Sequence, residues 1–162
     1  MPLKNIDSIL YASDLLGHDG RDAFRVAVSH AVAHNAKLIF LNVMEPLSPM
    51  AERAVSHCFS EEEITEIRNK GYQRVQEDIV TRIKNFCEEE LNEGMQLPSE
   101  PEVCVETGMI ADTILKVAKE KQVDMIVMGT RTHSKLSQVV LGSTAHQVLF
   151  HASCPVLIIP IG

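Results

Sequence analysis

Short apolar runs alternate along the chain with longer segments in which apolar residues recur every three or four positions. The short runs predict five β-strands, over residues 8–13, 37–43, 102–107, 124–128 and 154–160. The runs 37–43 and 124–128 are almost continuously apolar, as is typical of strands that are covered on both faces. The run 102–107 alternates between apolar and charged residues, which indicates a strand nearer to the sheet edge.

The longer segments predict four helices. Phe24, Ala27, Val28 and Ala31 follow the spacing of one buried helical face within the predicted helix Arg21–His34. Ser60 and Glu63 fit a capping box that opens a long amphipathic helix reaching to about residue 92. Its apolar stripe comprises Ile64, Ile67, Gly71, Val75, Ile79, Ile83 and Phe86. The remaining two helices are predicted over 109–121 and 143–151.

The segment 45–59 contains Pro46 and Pro49 and is predicted to be a loop. Strands that alternate with helices indicate an α/β domain with a parallel sheet covered by helices on both faces. In such sheets, ligands bind beyond the carboxyl ends of the strands. Asp14, Val43 and Gly129 each lie where a predicted strand ends, so we expect them to meet at one edge.

Charge is distributed unevenly along the sequence. The formal net charge is −7, yet no Asp or Glu follows Asp124, while Arg131 and Lys135 do. Within this acid-free stretch, Gly129-Thr130-Arg131 and Gly142-Ser143-Thr144 combine glycine with hydroxyl groups. Backbone N–H groups at such turns bind anions, above all phosphate. The acidic balance and the absence of Lys/Arg-rich runs argue against nucleic-acid binding.

Other classes of function have little support in the composition. No apolar stretch approaches the ~20 residues of a membrane span. The four cysteines lie far apart without a Cys-x-x-Cys pair, which argues against a disulfide framework and a zinc site and favours a cytoplasmic protein. His30 and His34 are spaced for metal ligation, but the sequence offers no third ligand, so no metal site is predicted.

Several motifs occur in an order that resembles the universal stress protein family. They are Ile126-Val-Met-Gly-Thr-Arg131, Leu141-Gly-Ser-Thr-Ala145, Cys154-Pro-Val-Leu-Ile-Ile-Pro160 and, at the start, Ser8-Ile-Leu-Tyr-Ala-Ser-Asp14. The resemblance covers nearly the whole chain. It implies a doubly wound five-stranded sheet of order 3-2-1-4-5, within one nucleotide-binding domain spanning residues 1–162. It also implies a homodimer formed through the last strand, Val156–Ile159.

Nucleotide-binding members of that family carry the pattern Gly-x2-Gly-x9-Gly-(Ser/Thr). In this chain Gly129, Gly142 and Ser143 match the pattern, while Thr132 stands where the middle glycine is expected. The resemblance implies an adenine nucleotide, ATP or AMP, with Mg²⁺ or Mn²⁺ bridging the phosphates if ATP is slowly hydrolysed. The candidate binding residues are Ala12, Ser13, Asp14, Val43, Met128, Gly129, Arg131, Thr132, Gly142, Ser143 and Thr144.

The resemblance also implies which part of the nucleotide each region contacts. Ala12 and Val43 are expected near the adenine, with Met128 beside the base, and Asp14 is expected near the ribose. Around the phosphates the resemblance places Gly129, Gly142, Ser143 and Thr144, while Arg131 offers a further cationic contact.

Three functions are compatible with these residues. The first is a nucleotide-binding sensor or regulatory module of the stress response. The second is a nucleotide-free dimeric scaffold, which Thr132 favours because a β-branched residue there restricts the backbone's approach to phosphates. The third, an ATP pyrophosphatase, would need a Ser-Gly-Gly-x-Asp-Ser loop after the first strand, where this chain reads Ala12-Ser-Asp-Leu-Leu-Gly17. No catalytic constellation is predicted.

Overall fold

A computed structural model describes residues 4–13, 20–131 and 141–161. Its five strands form one parallel sheet in the order β3-β2-β1-β4-β5, which confirms the predicted fold. The elements in chain order are β1 (Ser8–Ser13), α1 (Gly20–His34), β2 (Lys37–Met44), α2 (Pro49–Cys58), α3 (Glu61–Glu90), β3 (Glu102–Thr107), α4 (Ile110–Glu120), β4 (Met125–Arg131), α5 (Ser143–His151) and β5 (Val156–Ile161).

The core lies on both faces of the sheet. On one face, α1 and α3 pack over an aromatic cluster in which the rings of Phe24 and Phe86 are 4.7 Å apart and those of Tyr11 and Phe40 are 5.1 Å apart. On the other face, α4 and α5 cover Leu10, Leu41, Ile126 and their neighbours. We call these the α1/α3 face and the α4/α5 face. Burial on both sides explains the near-continuous apolar runs of the central strands.

The prediction of a loop over 45–59 is wrong, because α2 forms within it. The Ser48 side chain accepts a hydrogen bond from the Ala51 backbone N–H at 3.2 Å, and Pro49 occupies the start of the helix. Proline is favoured at this position, where its missing N–H costs no helical hydrogen bond. No residue of α2 is buried. The helix therefore begins through local capping, which apolar periodicity does not detect.

The capping box predicted for α3 is confirmed. The Ser60 backbone N–H donates to the Glu63 carboxylate at 2.8 Å, and the Glu63 N–H donates to Ser60 Oγ at 3.2 Å. The helix ends at Glu90, slightly before the predicted residue. Of its predicted apolar stripe, only Ile79, Ile83 and Phe86 are buried. A helix of 30 residues is about 45 Å long, whereas the six residues of β3 span about 20 Å. Part of α3 therefore extends beyond the sheet, where its apolar residues have no strand to pack against.

β4 continues beyond its predicted end at residue 128. Gly129 pairs with Ile159 and Thr130 pairs with Pro160, so both residues belong to the sheet ladder with β5. The prediction of a glycine-hydroxyl turn at Gly129-Thr130-Arg131 is therefore wrong, because these residues continue the strand. This extension carries β4 to the same edge at which β1 and β2 end. Within the described ranges, no helix combines the length and apolar character needed to cross a membrane.

Candidate functional site

The carboxyl edge of the sheet brings together the ends of β1, β2 and β4. Ala12 is paired with both Leu41 and Met128, and Val43 follows two residues beyond Leu41. Since side chains alternate between faces along a strand, Ala12, Val43 and Met128 all belong to the α4/α5 face. Met128 is buried, whereas Ala12 and Val43 are half-buried. The three residues expected around the adenine therefore share one apolar surface at this edge.

A buried amide ties the ends of β1 and β2 together. Asn42 is 4% exposed, and its Nδ2 donates to the Ser13 carbonyl oxygen at 3.0 Å. Such a bond satisfies two polar groups that would be costly to bury unpaired. The sequence interpretation missed Asn42, although a lone amide near the end of an otherwise apolar strand is a visible signal. Asp14, the next residue after Ser13, lies outside the described residues.

Gly129 has a packing role on the α1/α3 face. A Cβ atom at this position would lie 2.1 Å from Ile161 Cδ1 and 3.0 Å from Ile161 Cγ1, with Ala23 Cβ at 3.8 Å. A side chain at position 129 would therefore displace the side chain of Ile161 on β5. The sequence interpretation explained this glycine by close approach to phosphates, whereas the packing of β4 against β5 already accounts for it.

A second buried polar residue joins β4 to α5. Thr130 is 4% exposed, and its Oγ1 accepts a hydrogen bond from the Gly142 backbone N–H at 3.1 Å. Gly142 is the N-cap residue of α5 and has extended backbone angles, with φ −62° and ψ 154°. The two residues bracket residues 132–140, which are not described. The bond places the start of α5 beside the end of β4.

The first turn of α5 offers donors for an anion. The Gly142 cap makes no side-chain hydrogen bond, and the turn contains no acidic residue. Among the described residues, no hydrogen bond engages the backbone N–H of Ser143 or Thr144. Ser143 is exposed and Thr144 is half-buried. Free N–H groups at a helix start carry a partial positive charge that favours phosphate.

Three predicted site residues are described only in part or not at all. Thr132 is outside the described residues, as Asp14 is. Arg131 ends β4, but its side chain is not described. Away from this edge, His30 and His34 stack with ring centroids 5.9 Å apart. No group of three or more metal-ligating side chains occurs in the described part of the chain.

Comparison with known proteins agrees with the fold and the motifs. The family model described as the universal stress protein family matches residues 5–160. A universal stress protein of Bacillus subtilis, YxiE, is 33% identical over 153 residues, which cover 90% of this chain and 96% of the relative. The structure of UspA from Lactobacillus plantarum has 25% identity and a TM-score of 0.62, and the match covers 97% of this chain and 99% of that one.

Two further solved structures share the fold and contain nucleotides. A universal stress protein from Archaeoglobus fulgidus in complex with dAMP has 18% identity and a TM-score of 0.56, with 96% of this chain and 99% of that chain covered. A universal stress protein in complex with cAMP has 19% identity and a TM-score of 0.63, with 98% and 100% covered. From the family match over residues 5–160 and the relative of 33% identity, we conclude that the chain belongs to the universal stress protein family.

Proposed function

We propose that this protein binds an adenine nucleotide, ATP or AMP, at the carboxyl edge of its sheet. The observation that carries the proposal is a juxtaposition at this edge. The apolar surface of Ala12, Val43 and Met128 lies at the same edge as the first turn of α5, whose Ser143 and Thr144 N–H groups are unengaged among the described residues. A nucleotide needs an apolar surface for its flat base and hydrogen-bond donors for its phosphates, and this edge offers both. The family members with dAMP and cAMP support the same ligand class.

Within this proposal each region has a distinct task. Ala12, Val43 and Met128 contact the base, while Ser13 and Asp14 contact the ribose. The phosphates lie against the backbone of Gly129 and Gly142, the hydroxyls of Ser143 and Thr144, and the polar groups of Arg131 and Thr132. If the nucleotide is ATP, Mg²⁺ or Mn²⁺ neutralises part of its charge by bridging phosphate oxygens.

The proposed biological role is that of a cytoplasmic sensor or regulatory module in the stress response, with residues 1–162 acting as one nucleotide-binding domain. A regulatory role needs binding alone, and at most slow ATP hydrolysis accompanies it. No catalytic residue is assigned.

Equilibrium dialysis of ligand-free protein against ATP, AMP and GTP tests the binding proposal. We expect saturable binding of both adenine nucleotides and weaker binding of GTP, because the side chains of Ala12, Val43 and Met128 have no polar group for the amino and carbonyl groups of guanine. A matched pair of variants, Ser143→Ala in the site and Ser153→Ala outside it, controls for general effects. Absence of ATP and AMP binding at millimolar concentration would rule the proposal out.

We also propose that the protein is a homodimer that pairs through β5, over Val156–Ile159. β5 is an edge strand, and its residues from Val156 to Ile159 are half-buried. No Asp, Glu, Lys or Arg occurs from residue 141 to residue 161. An uncharged apolar edge of this kind pairs with a second copy without charge repulsion and thereby protects itself from aggregation.

The second candidate function is a nucleotide-free dimeric scaffold that acts through protein contacts. The packing of Ile161 over Gly129 favours this candidate, because it explains that glycine without any ligand. Thr132 favours it too, since it replaces a glycine of the binding pattern. The variant Thr132→Gly separates the two candidates. If the variant binds ATP and the parent does not, the scaffold function is supported.

A further inference from the structure

We propose that Thr130 is a positioning residue that keeps the first turn of α5 available for phosphate. This inference rests on the proposed nucleotide binding and assigns a role to a residue that the binding pattern does not contain. Thr130 is one of three polar residues that are buried among the described ones, and its Oγ1 accepts a hydrogen bond from the N-cap residue of α5.

An ordinary N-cap would block the site. In most helices the N-cap side chain is Ser, Thr, Asp or Asn, and its oxygen accepts the N–H of the second or third helical residue. In α5 those residues are Thr144 and Ala145, and the Thr144 N–H is one of the two donors that we propose for the phosphates. The cap residue is Gly142, which has no side chain to occupy them.

Thr130 supplies the anchor that a glycine cap lacks. Its Oγ1 accepts the N–H of Gly142 itself, at 3.1 Å, and no N–H further along the turn. The start of α5 is thereby fixed to the end of β4 across 12 residues of sequence. The Gly142 N–H is thus used for positioning, while the N–H groups of Ser143 and Thr144 bond to none of the described residues.

The space around Gly142 agrees with this role. A Cβ atom at position 142 would lie 3.4 Å from Thr130 Oγ1, which is ordinary van der Waals contact, so the hydroxyl lies directly against the cap residue. Thr130 belongs, with Met128, to the α4/α5 face of β4, so the anchor and the base surface lie on the same side of the sheet. The Thr130 hydroxyl thus fixes the position of the proposed phosphate site relative to the proposed adenine site.

If Thr130 positions the phosphate site, its substitution should weaken the binding of ligands that carry phosphate and should hardly change the binding of adenosine. Thr130→Val keeps the side-chain shape but removes the acceptor, whereas Thr130→Ser keeps the acceptor. Binding of ATP, AMP and adenosine by each variant is measured by isothermal titration calorimetry. We expect Thr130→Val to weaken ATP and AMP about tenfold, as the loss of one hydrogen-bonded positioning contact implies, and to change adenosine affinity less than about twofold. Thr130→Ser, which keeps the hydroxyl, should bind ATP with the affinity of the parent protein.

The matched control is Thr113→Val. Thr113 is a buried threonine of α4, 8% exposed, with no contact to α5 among its hydrogen bonds. The Thr113→Val variant should leave the ratio of ATP affinity to adenosine affinity unchanged. If Thr130→Val does not fold, Thr130→Ala is measured in the same way and compared with Thr130→Ser.

The outcomes separate this inference from the proposed function. If the parent protein binds ATP but Thr130→Val leaves the ATP-to-adenosine ratio unchanged, or lowers both affinities equally, the positioning role is wrong and nucleotide binding stands. If the parent binds no nucleotide, the proposed function fails and the positioning role fails with it.

Discussion

The side chain of Ile161 fills the space into which a side chain at Gly129 would project. A Cβ atom on Gly129 would approach Ile161 Cδ1 to 2.1 Å. The two residues lie on neighbouring strands, β4 and β5, and the contact is on the α1/α3 face. Gly129 is therefore part of the packing between a central strand and an edge strand.

This contact predicts that Gly129→Ala is destabilising. We expect a loss of about 1–2 kcal/mol in the free energy of unfolding, because the added methyl group must displace Ile161 from a packed site. Urea denaturation of Gly129→Ala, Ile161→Ala and the double variant measures the coupling. The double variant should lose less stability than the two single variants together. Strict additivity would show that the two residues do not compete for the same space.

Asn42 provides a second prediction about the site. Asn42→Ala removes the donor to the Ser13 carbonyl and should cost about 1–2 kcal/mol of unfolding free energy. Asn42→Asp should cost more at pH 7, because a buried carboxylate would face that carbonyl oxygen.

The sign of the pH dependence follows from the burial. Burial raises the pKa of a carboxyl group, so the Asn42→Asp variant should regain stability as the pH falls and the new side chain becomes neutral. Urea melts at pH 7 and pH 5 measure this change. The exposed Asn69 of α3 offers the control, since Asn69→Asp should show neither effect. Equal stability of the two Asp variants would contradict the prediction.

Glu102 links β3 to β2 and to the end of α4. Its carboxylate forms ion pairs with Lys121 and Lys37, which lower the pKa of Glu102 to about 2. Because the pKa in the folded state is below that in the unfolded state, the ion pairs stabilise the protein above pH ~4.5, and this contribution is lost as the pH falls toward 2.

Glu102→Gln should therefore reduce stability at pH 7 by about 1 kcal/mol, after allowance for solvent screening of these partly exposed side chains. The difference from the parent protein should shrink as the pH falls from 5 toward 2. Thermal melts over this range, with the exposed Glu100→Gln as control, provide the measurement. A difference that is constant with pH would mean that the ion pairs do not contribute.

The sheet was predictable from sequence because its strands are buried on both faces. A strand with one face in solvent would alternate between apolar and polar residues, whereas residues 37–43 and 124–128 are almost wholly apolar. Because these strands alternate with helical segments, a parallel sheet covered by helices on both faces was the arrangement to expect. The order of the strands came from the family resemblance. Helix α2 was missed because its start depends on Ser48 and Pro49 and not on a buried stripe.

The candidate site was predictable only in part. The glycines and hydroxyls at 142–144 identified the start of α5, and the strand ends identified the edge. Asn42 was missed because it lies within a strand and acts through a contact distant in sequence. Thr130 was assigned to an anion-binding turn, whereas it lies in β4 and its hydroxyl accepts the Gly142 N–H. Gly129 was assigned to a phosphate loop because its actual neighbour, Ile161, lies 32 positions later (161 − 129) and is brought beside it only by the sheet register.

The open edge of β5 offers a test of the proposed dimer. The Ile126 N–H donates to the Pro155 carbonyl at 2.9 Å, which sets the alternation of the ladder between β4 and β5. Residues 157, 159 and 161 then direct their backbone groups to β4, while 156, 158 and 160 direct theirs outward. Pro160 is at an outward position, where its missing N–H removes no bond to β4.

Ile158→Pro should consequently disrupt the dimer while preserving the fold. It removes an outward N–H that a second copy would use, whereas every bond from β5 to β4 is retained. Sedimentation equilibrium should show a monomer for Ile158→Pro and a dimer for Ile158→Val, which keeps the N–H and a β-branched side chain. Circular dichroism of both variants should match the parent protein, while Leu157→Pro, which breaks the ladder to β4, should lose structure. A folded Ile158→Pro variant that is still dimeric would show that the two copies associate elsewhere, since the proline ring would project toward the paired strand within the proposed interface.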